Sequence, residues 1–231
     1  LNFLRFMAAF TLKKFGLWAG AFATLVGGMV ITGWLGDIPV LKSLSSGLVP
    51  IKFNAGLSFL AIGLSLMGFS HFERPSRLIR GLGVFLALLP FVIGTGTLVE
   101  YFRGVDLGID QLFFAEKDGG ATPGRMPFTS GLNFFVAGMA LLILWLAPSF
   151  ASLSQILGFF LAAVGLIGII GYSLGLQSIY GLGRFAQISL ASVFTFMVAG
   201  FGISVNRQTL SWQWRSLKTK ILLTIPPCKG G

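Results

Sequence analysis

Phe53-Asn54-Ala55-Gly56-Leu57-Ser58-Phe59-Leu60-Ala61-Ile62-Gly63 opens an apolar run that reaches Phe69 without one Asp, Glu, Lys, Arg or His. A hydrocarbon core of about 30 Å takes roughly 20 apolar residues to cross as a helix. The run over residues 51–69 has that length, and so do 15–35, 78–99, 128–146, 153–174 and 185–205. The charges inside these six runs are Lys52 and Arg80, both close to an end, where a long side chain can carry its charge out to the headgroups. Pro90 is expected to bend the third run.

Composition points the same way. The chain is 55% hydrophobic and 10% charged, whereas soluble domains carry roughly 25% charged residues. So few charges cannot cover a water-facing surface, so lipid must solvate much of the chain. The expected fold class is all-α integral membrane: residues 1–14 as a cytoplasmic N-terminal segment, 15–206 as a six-helix domain and 207–231 as a basic cytoplasmic tail. Lys13 and Lys14 precede the first run as they would in a signal peptide, but the run is too long for an h-region and is expected to be retained.

The formal net charge of +10 does not argue for nucleic acid, because the basic residues fall between the apolar runs. One side of the predicted membrane collects Arg5, Lys13, Lys14, Arg74, Arg77, Arg80, Arg207, Arg215, Lys218, Lys220 and Lys229 against the single acid Glu73. The other side has six basic and six acidic residues. The positive side is expected to be cytoplasmic, with both termini inside.

The apolar runs also repeat. Phe59 and Gly63 in the second run, Phe134 and Gly138 in the fourth and Phe196 and Gly200 in the sixth share a Phe four residues before a Gly. Just past the third run stands Tyr101-Phe102-Arg103-Gly104, and the fifth closes on Tyr172-Ser173-Leu174-Gly175, with Tyr and Gly in register. The unit is therefore a helical hairpin present in three parallel copies, unlike the inverted repeats of many carriers. The glycines of this pattern, with Gly16, Gly20, Gly171 and Gly175, are read as sites of close helix packing.

Catalytic and metal chemistry are poorly supplied. His71 is the only histidine, so an intrachain bis-histidine haem is excluded, and Cys228 has no partner for a disulfide or a zinc motif. No nucleotide or hydrolase fingerprint is present. The reading is a non-enzyme with no cofactor and no metal. No ionisable residue lies at mid-depth, which speaks against a proton-coupled carrier but leaves a passive pore open.

The long connection over residues 100–125 remains. It mixes acids, aromatics and turn residues, and its length exceeds that of ordinary connections. One reading is a ligand-facing lid formed by Tyr101, Asp106, Asp110, Gln111 and Arg125 with Gln177, Tyr180 and Arg184 of the third external loop. The other is a solvated connector with a short helix over 109–114. Asn54, Thr129 and Ser130 line a polar vestibule or bond to neighbouring helices.

The stretch Tyr101-Phe102-Arg103-Gly104-Val105-Asp106-Leu107-Gly108-Ile109-Asp110-Gln111-Leu112-Phe113, followed by Pro123-Gly124-Arg125-Met126, resembles the N-terminal multi-helix membrane sensor region of bacterial signalling proteins such as histidine kinases and diguanylate cyclases. Tyr180-Gly181-Leu182-Gly183 fits the third loop of that family, and Asn54 keeps its Asn; Pro127-Phe128-Thr129-Ser130 departs from its Pro-Asn-Thr core. The resemblance covers about residues 15–206. It implies a signal-input domain in a bacterial inner membrane, here without an output module. Its partners would be the bilayer and either a second copy or a signalling protein. The alternatives are a small transporter or pore subunit, with Asn54, Ser130 and Ser192 along a path, and an accessory subunit of a larger membrane complex.

Overall fold

The computed structural model describes residues 2–43, 49–114, 123–175 and 188–205, with side-chain surroundings from residue 14 onward. The described elements are α1 (Asn2–Leu35), the short α2 (Pro39–Ser43), α3 (Phe53–His71), α4 (Arg77–Arg103), α5 (Phe128–Leu146), a 3-10 turn (Pro148–Phe150), α6 (Ala151–Ser173) and α7 (Leu190–Ser204). Among the described residues there is no strand. Among the described residues five helices are long and apolar enough to cross a membrane. At 15 residues, α7 spans about 22 Å. The first helix begins at Asn2, well before the apolar run at Phe15, because a helix needs apolar residues only for its depth in lipid. Residues 109–114 form turns and bends in place of the expected short helix. Helix α4 passes through Pro90 unbroken.

Helix ends follow local chemistry. Ser76 Oγ accepts the Ile79 N–H at 3.3 Å and opens α4, and Ser189 Oγ accepts the Ser192 N–H at 3.1 Å and opens α7. The far ends of α4 and α6 stop at Gly104 (φ +64°) and Gly175 (φ +65°), the left-handed conformation that terminates helices cheaply at glycine. A Cβ on Gly175 would meet nothing within 4 Å, so this glycine terminates a helix and does not pack one. After α1 the same turn is made by Asp37 at φ +50°. Three residues before each of these turns an aromatic side chain donates to the carbonyl two residues before the returning helix. Trp34 Nε1 reaches Ile51 O at 2.9 Å and Tyr101 Oη reaches Met126 O at 3.0 Å. Tyr172 Oη bonds Ile188 O.

Helix α1 packs on α3, α4 on α5 and α6 on α7. Small residues form each seam. A Cβ on Gly63 would lie 2.5 Å from Gly20 O, and one on Gly27 would lie 2.6 Å from Gly56 O. In the second seam a Cβ on Gly94 would lie 2.6 Å from Gly131 O, and one on Gly138 would lie 2.5 Å from Phe91 N. In the third a Cβ on Gly200 would lie 2.5 Å from Gly158 O, and one on Gly165 would lie 2.6 Å from Val193 O. Backbones this close forbid any larger residue.

Within each pair the second helix faces the centre. Phe59, Phe134 and Phe196 are fully buried and meet there, each ring centroid 4.9 Å from the other two. The outer helices α1, α4 and α6 turn Trp18, Leu25, Phe85, Val92, Ile156 and Ile167 outward. Hydroxyls join one pair to the next: Ser65 Oγ donates to Gly83 O at 3.0 Å and Ser154 Oγ to Ala140 O at 2.9 Å. Trp145 Nε1 adds a bond to Ser65 Oγ at 3.0 Å.

Candidate functional site

Where α4 stops, several charged and polar side chains of the described residues come together. Glu100 sits one turn before the helix terminus and is fully buried. Its backbone carbonyl accepts the Gly104 N–H at 3.0 Å. The reversal at Gly104 sends the chain back over its own helix, so the Leu107 N–H reaches Glu100 Oε1 at 3.0 Å. Asp106 Oδ1 accepts the Gly108 N–H at 2.8 Å, closing a tight local turn.

Arg125 holds this loop from the other side. Its Nε lies 3.0 Å from Asp110 Oδ2 and 3.4 Å from Glu100 Oε2. Its Nη2 donates to Val105 O at 3.3 Å. The guanidinium also lies 5.7 Å from the centroid of the Tyr101 ring, a distance at which the ring face attracts a cation. The side chains of Arg125, Asp110 and Glu100 are 11%, 5% and 0% exposed, so these charges are largely withdrawn from water. Burial alone would lower the Arg125 pKa, but the Asp110 hydrogen bond and the charges of Glu100 and Asp110 outweigh it and hold Arg125 above its ordinary value. The guanidinium therefore stays a cation.

Further contacts clamp the loop to α1 and α3. Asn54 Nδ2 donates to Ile109 O at 2.6 Å. The Phe53 ring packs against Phe113 at 5.1 Å and Phe114 at 4.9 Å, and Trp34 packs on Phe114 at 5.6 Å. At Gly124, φ is +74° and a Cβ would come within 2.6 Å of Asp110 O, so only glycine fits beside the loop. Gln111 Nε2 reaches Pro123 O at 3.4 Å. A polar cleft of about 200 Å³ opens between Gly104, Val105, Asp106, Gly108, Asp110, Gln111, Pro123 and Arg125.

Asp106, Asp110, Gln111 and Arg125 thus line one cleft, with Tyr101 directly behind Arg125. Gln177, Tyr180 and Arg184 lie outside the described residues. Glu100, the most deeply buried acid of the group, is not among the site residues expected from sequence; a lone acid on the last turn of a largely apolar helix was the available signal. Asn54 binds the loop, neither bonding a neighbouring helix nor facing an open vestibule.

Two carboxylate oxygens here, Glu100 Oε2 and Asp110 Oδ1, are buried without a hydrogen-bond partner among the described residues. The same holds deeper in the bundle for Thr97 Oγ1 and for both amide atoms of Asn133. Among the described residues, no three His, Cys, Asp or Glu side chains converge as a metal site would require. The arrangement suits binding and loop positioning: a buried cation, two acids and a folded loop over a helix end. The chain matches no protein-family model, no curated protein and no solved structure.

Proposed function

We propose that the chain is the signal-input domain of a bacterial signal-transduction system, embedded in the cytoplasmic membrane with both ends inside. In this reading α7 is the sixth span, and the six spans are three parallel copies of one hairpin. Several recurring contacts support the repeat. The Trp34, Tyr101 and Tyr172 bonds each fall two residues before a returning helix, and Asp37, Gly104 and Gly175 make the same turn three residues after them. The seam positions Gly20 and Gly27, and Gly158 and Gly165, are seven apart, and Ala87 stands seven before Gly94.

The observation that carries the input reading is mechanical. The loop over residues 104–114 is joined to the last turn of α4 through Glu100, to the start of α5 through Arg125, and to α3 through Asn54. A ligand or condition that moves the loop acts on three helices at once. Such shifts at packed interfaces are an ordinary way to pass a signal inward. The pore reading is weaker, because the Phe59, Phe134 and Phe196 rings fill the centre of the bundle.

The test is a fusion of an output kinase after Arg207, assayed with Asp106→Asn and Asp110→Asn. Altered output supports the input reading, and output unchanged from the parent fusion overturns it. Topology is tested separately by cysteine labelling at Asp110 and at Arg77. Outside-only labelling at Asp110, or at the exposed Asp106 of the same loop, and inside-only labelling at Arg77 is expected; the reverse refutes the orientation.

A further inference from the structure

The outward face of α4 is a stripe of exposed apolar side chains, Phe85, Leu88, Val92 and Val99. Helical spacing places Gly96 and Glu100 on the same stripe, one and two turns beyond Val92. Yet Glu100 is fully buried, because the chain after the helix folds back over it. A Cβ on Gly96 would lie 2.7 Å from Ile109 Cδ1 and 4.0 Å from Leu107 Cδ1, so these two side chains reach down onto the stripe. From the turn at Gly104 back to Gly96 is about 12 Å along the helix. The loop over residues 104–114 thus doubles back along the face that α4 turns away from the bundle.

That face has a depth. A helix crosses the hydrocarbon with roughly 20 residues. Arg80 and Arg103 are the innermost basic residues of α4. Centred between them, the crossing stretch covers about residues 82–101, which puts Gly96 on the order of 8 Å inside the hydrocarbon. The side chains of the loop are sorted to match. Asp106, Asp110 and Gln111 line the polar cleft beside Arg125. Leu107, Leu112 and Phe113 take no part in it, and they are 50%, 70% and 53% exposed.

Backbone chemistry separates lipid from water as the medium on that side. A loop in water can leave its N–H and C=O groups to solvent. Irregular backbone at membrane depth is tolerated only where the protein or a water-filled cavity meets those groups. Here the Leu107 N–H reaches the buried Glu100 Oε1 at 3.0 Å, and Ile109 O accepts from the buried Asn54 Nδ2 at 2.6 Å. The two residues that reach furthest along α4 are the ones so provided.

We propose that the loop over residues 104–114 is a re-entrant segment. Its Leu107, Leu112 and Phe113 side rests among the acyl chains of the leaflet at the α4 end, and its cleft side stays open to water. Continuity with the apolar stripe of α4 favours lipid over a second copy of the chain as the covering partner. The inference rests on the membrane placement in the reading above and not on signalling.

Spin labelling in nanodiscs of phosphatidylethanolamine and phosphatidylglycerol tests it. Cys228 is the only cysteine, so Cys228→Ser clears the background for a nitroxide at Leu107→Cys or Leu112→Cys. Val92→Cys serves as the lipid-facing control and Asp106→Cys, in the cleft, as the aqueous one. At Leu107 and Leu112 the ratio of collision with oxygen to collision with a water-soluble nickel chelate should match that at Val92 and exceed that at Asp106 severalfold. A ratio like that of Asp106 overturns the proposal. Exclusion of both reagents with spin–spin broadening also overturns it, in favour of a second copy. A nickel-accessible Val92 refutes the membrane placement itself, whereas a lipid-like Val92 beside a water-like Leu112 refutes only the re-entrant loop. The unmodified chain gives a second readout. A phospholipid with a photoactivatable diazirine in its acyl chain should label the peptide over residues 104–114, and labelling confined to the helices overturns the proposal.

Discussion

The centre of the bundle and the charged trio of Glu100, Asp110 and Arg125 at its α4 end are both withdrawn from water, yet by opposite means. At the centre three identical rings meet with no polar atom among them. Their attraction is dispersion and ring geometry, spread over many weak contacts. At the α4 end one guanidinium carries the loop through a few directional contacts, each to a different partner. A region built from many interchangeable contacts loses stability gradually when one is removed. A region built on a single buried cation loses it abruptly, because what remains is a pair of uncompensated charges.

Removing the cation should therefore give the largest effect. Arg125→Ala leaves Glu100 and Asp110 buried together, and breaking a buried ion pair from one side costs about 3–5 kcal/mol. Thermal unfolding in micelles checks the figure, and the loss should shrink when Glu100→Gln is added, since one stranded charge is then gone. If Arg125→Ala changes stability by less than Phe134→Ala does, the ranking of the two regions is wrong. Phe134→Ala should come second. In lipid there is little hydrophobic transfer to lose, because the surroundings of an unpacked helix are as apolar as the core. The cavity remains, and a lost phenyl ring leaves on the order of 100 Å³ at about 24 cal/mol per Å³, or about 2–3 kcal/mol.

The two regions also differ in how far the sequence reveals them. The centre is legible because its parts recur at fixed helical offsets: a Phe four residues before a Gly, three times in one chain. Periodicity names the residues that share a face, and apolar length sets the depth. Residues 128–146 are bounded by sequence as they are in the structure. The α4 end is legible only in outline. Asp106, Asp110, Gln111 and Arg125 stand out as polar residues in a long loop, but nothing in their spacing says that Arg125 reaches back to Glu100. That contact depends on the turn at Gly104 and on the close approach of Gly124 to Asp110, which are properties of backbone conformation. The sequence likewise suggested a short helix over 109–114, where aromatic anchoring to Phe53 and Trp34 prevails over local propensity.

The seams between paired helices make a third, smaller test of the comparison. A Cβ on Gly63 would lie 2.4 Å from Thr24 N and 2.5 Å from Gly20 O, both backbone atoms that cannot swing aside. Gly63→Ala should cost about 2 kcal/mol by overpacking. Gly28 offers the control, since a Cβ there meets nothing within 4 Å. Gly28→Ala should be neutral or stabilising, by up to about 1 kcal/mol, from helix propensity alone. Equal effects at the two sites would mean that the seams are looser than these distances imply.

The smallest expected effect sits where the two regions' principles meet. Asn133 directly precedes Phe134, as Ser58 precedes Phe59 and Thr195 precedes Phe196, and all three polar side chains are fully buried. Ser58 Oγ donates to Asn54 O at 2.8 Å and Thr195 Oγ1 to Ala191 O at 2.7 Å, one helical turn back. Asn133 makes no such bond, and among the described residues both its amide atoms lack a partner. An unsatisfied buried polar group costs about 1–3 kcal/mol. A hydroxyl at this position can bond to the carbonyl of Thr129, as its two counterparts do to theirs, at the expense of a small cavity. Asn133→Thr should therefore raise stability by about 1 kcal/mol, which denaturant titration in micelles can resolve. A loss of stability would mean that Asn133 holds a partner, and that the apolar centre contains a second polar site. A gain in stability with impaired signalling in the kinase fusion would mean that the stranded amide is kept for what it does and not for what it holds together.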